Sequence, residues 1–254
     1  MLEQELLVGE LTLHGRVMPA SNATFVGEVR GHRVIYKPVA GERPLWDFPD
    51  GTLAAREEAA YVVSEALGWD LVPLTFQRDG PHGPGMVQLW MEPDPVQEAV
   101  TLVEDADVPE GYLYVFEGLD DRDQAVSLVH EDTAELRRMA VFDAVINNAD
   151  RKGGHVLAMT DGHRYGVDHG LTFHVEHKLR TVLWGWSGEL LTDGDRAALE
   201  RLGDLLEDDL GERLLGLLTP HEVEATRRRI KRLLRVGTLP EPGQGWRAIP
   251  WPPF

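Results

Sequence analysis

Four charged side chains lie at positions where an amphipathic pattern would not place them. Lys37 closes the apolar strand RVIYKP, and Glu57 lies on the helix that follows. Asp150 lies in a polar loop after a buried helix, and Asp168 ends a second apolar strand. Phosphoryl transfer from ATP requires a lysine for the phosphates, a glutamate that holds this lysine, an aspartate that orients the acceptor hydroxyl and a second acid for the metal ion. The four residues match these chemical types in fitting strand, helix and loop contexts.

Two predicted elements position the first pair. Apolar and β-branched residues on both sides of RGHR predict an antiparallel hairpin over residues 23–39, with Lys37 near the end of its second strand. Apolar residues at helical spacing predict a helix over residues 53–68, which carries Glu57 and ends at Gly68. The Pro- and Gly-rich segment between the hairpin and the helix is expected to be a loop.

A boundary between two lobes is predicted after this part of the chain. Residues 70–93 are typical of two strands around a Gly/Pro hairpin, and acidic, irregular sequence is expected from about Glu92 to Asp123. The composition changes at MEPDP. We therefore predict an N-lobe over residues 1–93 and a C-lobe over residues 94–254.

The C-lobe is predicted to be mainly helical. A helix over residues 131–148 leads into the polar loop NNADRKGGHVL, and a short hairpin follows this loop. Further helical segments are predicted over residues 192–218 and 219–237, the second beginning with a capping box between Thr219 and Glu222. The Pro-rich tail after them is expected to be irregular. The predicted fold class is α+β, with a small β-rich lobe before a mainly α-helical lobe.

The sequences FDAVINNADRKGGHVL and GVDHGLTF resemble the catalytic loop and the metal-binding motif of the phosphatidylinositol 3/4-kinase-like branch of the protein kinase superfamily. Type II phosphatidylinositol 4-kinases and HipA-type bacterial kinases are similar families, and the whole chain resembles small actinobacterial members of this branch. The resemblance covers roughly residues 20–190. It implies a two-lobed protein-kinase-like fold and an ATP-dependent phosphotransferase, an atypical kinase.

The resemblance implies a role for each polar residue of the site. Lys37 would bind the phosphates of ATP, and Glu57 would form an ion pair with Lys37. Asp150 would be the catalytic aspartate that orients the acceptor hydroxyl. Arg151 and Lys152 would help to neutralise the transferred phosphate. Catalysis of this kind depends on positioning and electrostatic stabilisation.

The resemblance also implies a metal ion, Mg²⁺ or Mn²⁺. Asp168 would be its main ligand, with Asp143 and Asn148 supporting the catalytic loop. The family carries a second metal ligand, an asparagine, where this sequence has His155. Because imidazole suits softer ions than Mg²⁺, either the second site prefers Mn²⁺ or His155 is not a ligand.

Further residues are assigned to ATP by the resemblance. The strand VQLW corresponds to the hinge of the family, where these residues would contact adenine through the backbone: Gln88, Leu89, Trp90 and Met91. In place of a Gly-rich phosphate loop the chain has PASNATFVG, with the expected phosphate contacts Ser21, Asn22 and Thr24.

The acceptor is expected to be a small molecule or a protein hydroxyl, since the span from Asp168 to Trp184 leaves little room for an activation segment. Other functions stay open. The same fold could serve as a pseudokinase, a nucleotide-binding or scaffolding module, and AMP could be transferred instead of phosphate. A metallohydrolase would use histidines near the motifs, which lack an HExxH-type pair: His155, His169, His174 and His177.

The composition limits the partners. The chain has 43 acidic and 25 basic residues, and its net charge of −18 disfavours nucleic acid and anionic membrane surfaces. It has no cysteine and no apolar run long enough for a membrane span. We expect a cytoplasmic protein whose partners are ATP and an acceptor. The basic run TRRRIKRLLR is expected to pair with internal acidic segments such as LLEDDLGE.

Overall fold

The computed structural model describes residues 2–18, 22–104, 108–119, 122–243 and 247–254. A first helix, α1 (Leu2–Val8), packs on a five-stranded antiparallel sheet with the spatial order β1-β2-β3-β5-β4. The strands are β1 (Leu11–Arg16), β2 (Phe25–Val29), β3 (His32–Pro38), β4 (Thr75–Gly80) and β5 (Gly83–Leu89). All five lie within the predicted N-lobe.

Strands β2 and β3 form the hairpin predicted around RGHR. Arg30 and Gly31 have φ angles of 49° and 86°, and Val29 pairs with His32 across the turn. A two-residue turn with positive φ at both positions matches the right-handed twist of the flanking strands. The turn therefore fixes the register of β3, the central strand of the sheet, which carries Lys37.

Helix α2 (Leu53–Leu67) matches the predicted helix closely. It ends at Gly68, whose φ of 70° is a left-handed conformation that glycine adopts without steric cost. At its beginning, the side chain of Glu42 accepts hydrogen bonds from the N–H groups of Leu53 and Ala54, at 3.1 and 2.9 Å. Because these N–H groups have no partner within the helix, Glu42 both caps α2 and fixes the loop that joins β3 to α2.

A second antiparallel sheet follows, with the spatial order β6-β8-β7. Its strands are β6 (Val100–Glu104), β7 (Tyr112–Leu119) and β8 (Ala125–Glu131). The prediction of irregular structure from Glu92 to Asp123 is therefore wrong over β6 and β7, whereas residues 92–99 contain no helix or strand, as predicted. No residue of β7 is fully buried, although Leu113, Val115 and Phe116 pack on the main core. Acidic residues dominate the composition around the strands.

The rest of the chain is mainly helical. Helix α3 (Ala134–Ile146) begins after Thr133, whose side chain accepts a hydrogen bond from the N–H of Leu136 at 3.3 Å. The short strands β9 (Val156–Ala158) and β10 (Arg164–Gly166) form the predicted hairpin. The final helices are α4 (Asp193–Leu205), α5 (Asp209–Leu215) and α6 (Pro220–Val236).

Two of these helices replace the single helical segment predicted over residues 192–218, because the chain leaves the helical path between α4 and α5. Helix α6 begins with the predicted capping box. The Thr219 side chain accepts from the N–H of Glu222, and the Glu222 carboxylate accepts from the N–H of Thr219 at 2.9 Å. The C-terminal segment after α6 contains no helix or strand among its described residues.

One large apolar core joins α2 to α3, α4 and α6, and a smaller core lies between α1 and the first sheet. Helix α2 therefore packs with the C-terminal helices, although it lies within residues 1–93. The predicted α+β class, with a β-rich N-terminal lobe and a mainly helical C-terminal lobe, is confirmed. Within the described ranges, every helix is too short or too polar to cross a lipid bilayer.

Candidate active site

Lys37 lies at the centre of a cluster of charged side chains. Its Nζ is 2.6 Å from Oε1 of Glu57 and 2.6 Å from Oδ1 of Asp168. Strand β3 supplies Lys37, helix α2 supplies Glu57 and the turn after β10 supplies Asp168. The fold thus brings together three residues that are distant in the sequence and that the sequence analysis had grouped by chemical type.

The three groups change one another's ionisation. Burial raises the pKa of Glu57, and the Lys37 ammonium opposes this effect. Burial would lower the pKa of Lys37, but the Asp168 and Glu57 carboxylates outweigh it and raise this pKa. The Lys37 ammonium holds the pKa of Asp168 well below its usual range. Lys37 and Asp168 are therefore charged throughout the neutral pH range.

Glu57 also holds the turn that carries Asp168. Its Oε2 accepts a hydrogen bond from the N–H of His169 at 2.8 Å. Asp168 itself has a φ of 61°, a left-handed conformation that costs a non-glycine residue roughly 1–3 kcal/mol and persists only where neighbours hold it. The contacts with Glu57 and Lys37 supply this restraint.

The loop that carries Asp150 is held from inside the protein. Asn147 ends α3 with a φ of 56°. The Nδ2 of Asn148 donates to Oδ1 of the buried Asp143 at 3.0 Å, and its Oδ1 accepts from the N–H of Asp150 at 3.0 Å. Asp143 and Asn148 therefore lie where they support the loop, as the resemblance implies.

Arg151 is fully buried. Its guanidinium donates two hydrogen bonds to the Asp143 carboxylate, at 2.9 and 2.8 Å, and one to Nε2 of His169 at 2.7 Å. This placement differs from the predicted role, because a guanidinium enclosed by these partners does not face a transferred phosphate; Arg151 instead positions the loop. Lys152 stays near the surface, with Nζ 3.8 Å from Oδ2 of Asp150.

Asp150 lines the same cleft as Lys37, Glu57 and Asp168. Burial raises the pKa of Asp150 to about 6, and the nearby Lys152 ammonium works against this shift. A carboxylate whose pKa lies near the working pH is suited to accept a proton from a hydroxyl. The position and ionisation of Asp150 thus fit the general base of a hydroxyl acceptor.

His155 lies beside Asp168, with Nε2 3.4 Å from Oδ2. Its Nδ1 lies 2.9 Å from the carbonyl oxygen of Asp150, and this hydrogen bond assigns the ring proton to Nδ1. Burial lowers the pKa of His155 to about 4, so the ring is neutral at pH 7. An unprotonated nitrogen therefore faces a carboxylate oxygen.

These two atoms fit a divalent cation. Mg²⁺ and Mn²⁺ accept carboxylate oxygens, and imidazole nitrogen suits Mn²⁺ better than Mg²⁺. Throughout the described ranges, no group of three or more acidic or histidine side chains is placed to hold a metal ion. In nucleotide sites the phosphates and water complete the coordination, so Asp168 and His155 would suffice there, whereas a metallohydrolase would need a third protein ligand.

The cleft has a volume of about 370 Å³. Asn22, from the segment predicted to bind phosphate, lines it, and its Oδ1 accepts from the N–H of Arg43 at 2.9 Å. Thr24 is outside the lining, and its hydroxyl donates to the carbonyl of Asn22 at 3.4 Å. Ser21 lies outside the described residues.

The four residues predicted to contact adenine lie at the end of β5 and just after it. The buried Gln88 donates its side-chain amide to Thr75 at 2.8 Å. The N–H groups of Leu89 and Trp90 donate to neighbouring backbone carbonyls, at 2.9 and 3.0 Å. Neither these three nor Met91 lines the cleft that contains Lys37. Their contact with adenine stays a prediction.

Comparison with known proteins finds an extensive sequence match. Protein Rv2133c of Mycobacterium tuberculosis is 52% identical over 259 residues, which cover 97% of this chain and 93% of that protein. The chain belongs to the family of Rv2133c. A crystal structure of the Helicobacter pylori proinflammatory kinase CtkA aligns over 92% of this chain and 94% of that one, with a TM-score of 0.48 and 10% identity. No protein-family model matches, so membership of the phosphatidylinositol 3/4-kinase-like family stays a prediction.

In this member of the Rv2133c family, the loop between β3 and α2 contributes residues that the sequence analysis did not single out. Glu42 and Arg43 line the cleft beside Lys37. Farther along the loop, Asp47 accepts a hydrogen bond from Nζ of Lys178 at 2.9 Å, which ties the loop to the C-lobe. The sequence offers one sign of their role, which is that this loop directly follows the strand that carries Lys37.

The C-terminal segment of this Rv2133c relative packs on the loop that carries Asp150. The carbonyl of Pro253 accepts from the N–H of Gly153 at 2.8 Å. The ring of Phe254 lies directly on Gly153, where a Cβ atom would overlap it. The carbonyl of Ala248 accepts from Nε1 of Trp184 at 2.9 Å. Phe254 is absent from the cleft lining, so the segment supports the loop without filling the cleft.

Proposed function

We propose that this protein is an ATP- and metal-dependent phosphotransferase, an atypical kinase of the phosphatidylinositol 3/4-kinase-like type. One observation carries the proposal: Lys37 bridges Glu57 and Asp168 at 2.6 Å each, in a cleft that Asp150 also lines. A lysine held by a glutamate, beside one acid for the metal ion and another for the acceptor, is the arrangement that phosphoryl transfer requires.

The charged residues in and around the cleft each have a defined part in this proposal. Lys37 binds the phosphates of ATP and is kept in place by Glu57. Asp168 and His155 hold the Mg²⁺ or Mn²⁺ ion, which neutralises phosphate charge when it is bound. Asp150, whose raised pKa suits proton acceptance, orients the acceptor hydroxyl. Arg151 acts through Asp143 by fixing the loop.

The acceptor is proposed to be a small molecule in preference to a protein. The residues that directly follow Asp168, 169–173, are largely packed into the core, with His169, Thr172 and Phe173 fully buried. A segment held in this way cannot present the extended platform on which protein kinases bind a peptide. A compact hydroxyl compound can still reach Asp150 through the open side of the cleft.

Thermal unfolding with and without ATP, in Mg²⁺ and separately in Mn²⁺, tests nucleotide binding. At about 100 times its dissociation constant a ligand stabilises the folded state by about 2.7 kcal/mol, which raises the midpoint by roughly 5–10 °C for a chain of this size. We expect a rise that needs the metal and disappears in Asp168→Ala. No rise with either metal would contradict the proposal.

Turnover then separates an enzyme from a pseudokinase. ATP labelled at the γ-phosphate or at the α-phosphate is incubated with the protein and a mixture of small hydroxyl compounds. Transfer or hydrolysis that releases the γ-label and is lost in Asp150→Asn supports the kinase. Transfer of the α-label indicates an AMP transferase, and nucleotide binding without any turnover indicates the pseudokinase.

A further inference from the structure

The basic run on helix α6 is divided between two faces of the helix. On one face, Arg227 and Lys231 lie 3.7 and 3.9 Å from Oε1 of Glu207, and Arg228 lies 3.8 Å from Oε1 of Glu224. This face forms the pairing with internal acidic segments that the sequence analysis expects. Its charges are therefore accounted for within the protein.

The other face carries Arg229 and Arg232, which are three residues apart and so neighbours on a helix. The guanidinium of Arg229 donates to the carbonyls of Val145 and His174, at 2.8 and 3.1 Å, and to Oγ1 of Thr226 at 2.8 Å. All three acceptors are uncharged. Across the residues that the structure describes, neither arginine has a carboxylate oxygen within 4 Å.

A cavity of about 680 Å³ opens beside these two arginines. His177, whose pKa is lowered by burial, and the acid Glu241 also line the wall. Much of the remaining lining is apolar and includes Leu179, Leu233 and Leu239. The volume lies within the range of small-molecule sites, and an apolar wall with a few convergent polar groups is their usual composition.

The charge of this cavity is not balanced from within. Burial, followed by the nearby Arg228, lowers the pKa of Arg229 to about 9. A cation withdrawn from water and left without a counter-ion is costly. A carboxylate or phosphate bound there would lower this cost and would form charge-assisted hydrogen bonds with the guanidinium groups.

We propose that this cavity binds an amphipathic anion, with a carboxylate or phosphate monoester head on Arg229 and Arg232 and a short apolar chain against the leucine side chains. The site uses none of the cleft residues around Lys37, so this proposal can be tested independently of the proposed phosphotransfer. Because Arg229 also contacts the carbonyl of His174, to which the Asn147 side chain donates at 2.9 Å, the site adjoins the end of α3.

Calorimetric titration of the whole protein tests this proposal. The probes are octanoate and octyl phosphate, each below its critical micelle concentration. The controls are 1-octanol, which has the apolar chain without the anionic head, and inorganic phosphate, which has the anion without the chain. We expect each amphipathic anion to bind at least tenfold more tightly than either half. The comparison of octanoate with octyl phosphate identifies the preferred head group.

Variants locate the binding. Arg232→Gln removes an exposed charge of the cavity and is expected to weaken binding roughly tenfold or more. Lys231→Gln, which removes a charge of the same helix that is paired with Glu207, is the matched control and should bind as the native chain does. Lys37→Met should also bind normally, which excludes the cleft as the site. Any of three results would overturn the proposal. In the first, Arg232→Gln binds the anions as tightly as the native chain does; in the second, 1-octanol or inorganic phosphate binds as tightly as the amphipathic anions; in the third, neither anion binds.

Discussion

The guanidinium of Arg151 donates two hydrogen bonds, 2.9 and 2.8 Å long, to the carboxylate of Asp143, and neither side chain is exposed to solvent. The pair joins helix α3 to the loop of Asp150. Two parallel N–H···O bonds fix both distance and orientation. The loop of Asp150 is therefore anchored by an ion pair inside the C-lobe and does not depend on surface contacts alone.

Removal of Asp143 is predicted to destabilise the whole protein. Asp143→Ala leaves the Arg151 guanidinium buried without its counter-ion, which should lower the free energy of unfolding by about 3–5 kcal/mol. Urea unfolding measures this loss. Glu224→Ala removes one partner of the exposed pair with Arg228 and should change the same quantity by no more than about 1 kcal/mol. Equal effects of the two substitutions would contradict the prediction.

Lys37 is predicted to be needed for ATP binding. Lys37→Met removes the cation between Glu57 and Asp168, so the phosphates would meet two carboxylates without compensation. We expect the ATP-dependent rise of the unfolding midpoint to disappear. Lys231→Met is the control, because this exposed lysine contacts only Glu207 among the described acids, at 3.9 Å, and should keep the full rise. A full ATP-dependent rise of the unfolding midpoint in Lys37→Met would show that Lys37 does not take part in nucleotide binding.

A glycine at position 153 is predicted to be required for the packing of the C-terminal segment on the loop of Asp150. In Gly153→Ala the new Cβ overlaps the ring of Phe254, and such overpacking costs about 1–3 kcal/mol or displaces the segment. Gly154→Ala is the matched control, since no atom lies within 4 Å of its Cβ. Urea unfolding and hydrogen exchange over residues 247–254 report the two outcomes.

The double variant with Phe254→Ala isolates the contact. If overlap with the Phe254 ring destabilises the variant, Gly153→Ala should lower the free energy of unfolding much less in the Phe254→Ala background than in the native chain. The effects of the two substitutions will then not add. Additive effects would show that Gly153 is needed for another reason.

His130 is predicted to make the stability of the fold depend on pH. Its Nε2 accepts from the N–H of Gly185 at 3.0 Å and its Nδ1 faces the carbonyl of Glu131 at 2.9 Å, a pattern that requires the neutral ring. Burial lowers its pKa from the ordinary value of 6.5. The contribution to stability is therefore complete above about pH 6.5 and is lost as the pH falls towards the depressed folded value.

The comparison with His130→Gln measures this contribution. Glutamine can accept from Gly185 and does not titrate, so between pH 7 and pH 5 the variant should lose less stability than the native chain. The difference in slope should approach, and not exceed, about 1.4 kcal/mol per pH unit. Other buried histidines act equally in both proteins and cancel. Parallel pH profiles would exclude His130 as the source.

Features that depend on neighbours in the sequence were predictable. Gly68 ends α2, and the Thr219–Glu222 box begins α6, because caps are decided within a few residues. The pairing of Lys37 with Glu57 followed from chemical type together with the assignment of a strand and a helix. These signals are local and do not require knowledge of the packing.

Features that depend on distant contacts were missed. The strands β6 and β7 lie among acidic residues, and their apolar side is recognisable only once β8 is paired between them. The sequence around Arg151 is typical of an exposed arginine in a loop. Its burial depends on contacts with Asp143 and His169, which only the folded structure brings together. The contact of Pro253 with Gly153 likewise has no local signal.

That contact also bears on the order in which the chain folds. Gly153 and Pro253 are one hundred positions apart in the sequence, and contacts between distant residues form only after the entropy of closing the loop is met. Local helices and the β2–β3 hairpin should precede it. We therefore expect Phe254→Ala to accelerate unfolding in stopped-flow experiments while the refolding rate stays nearly unchanged. The loop of Asp150 would then acquire its outer support late, when the two lobes are already assembled.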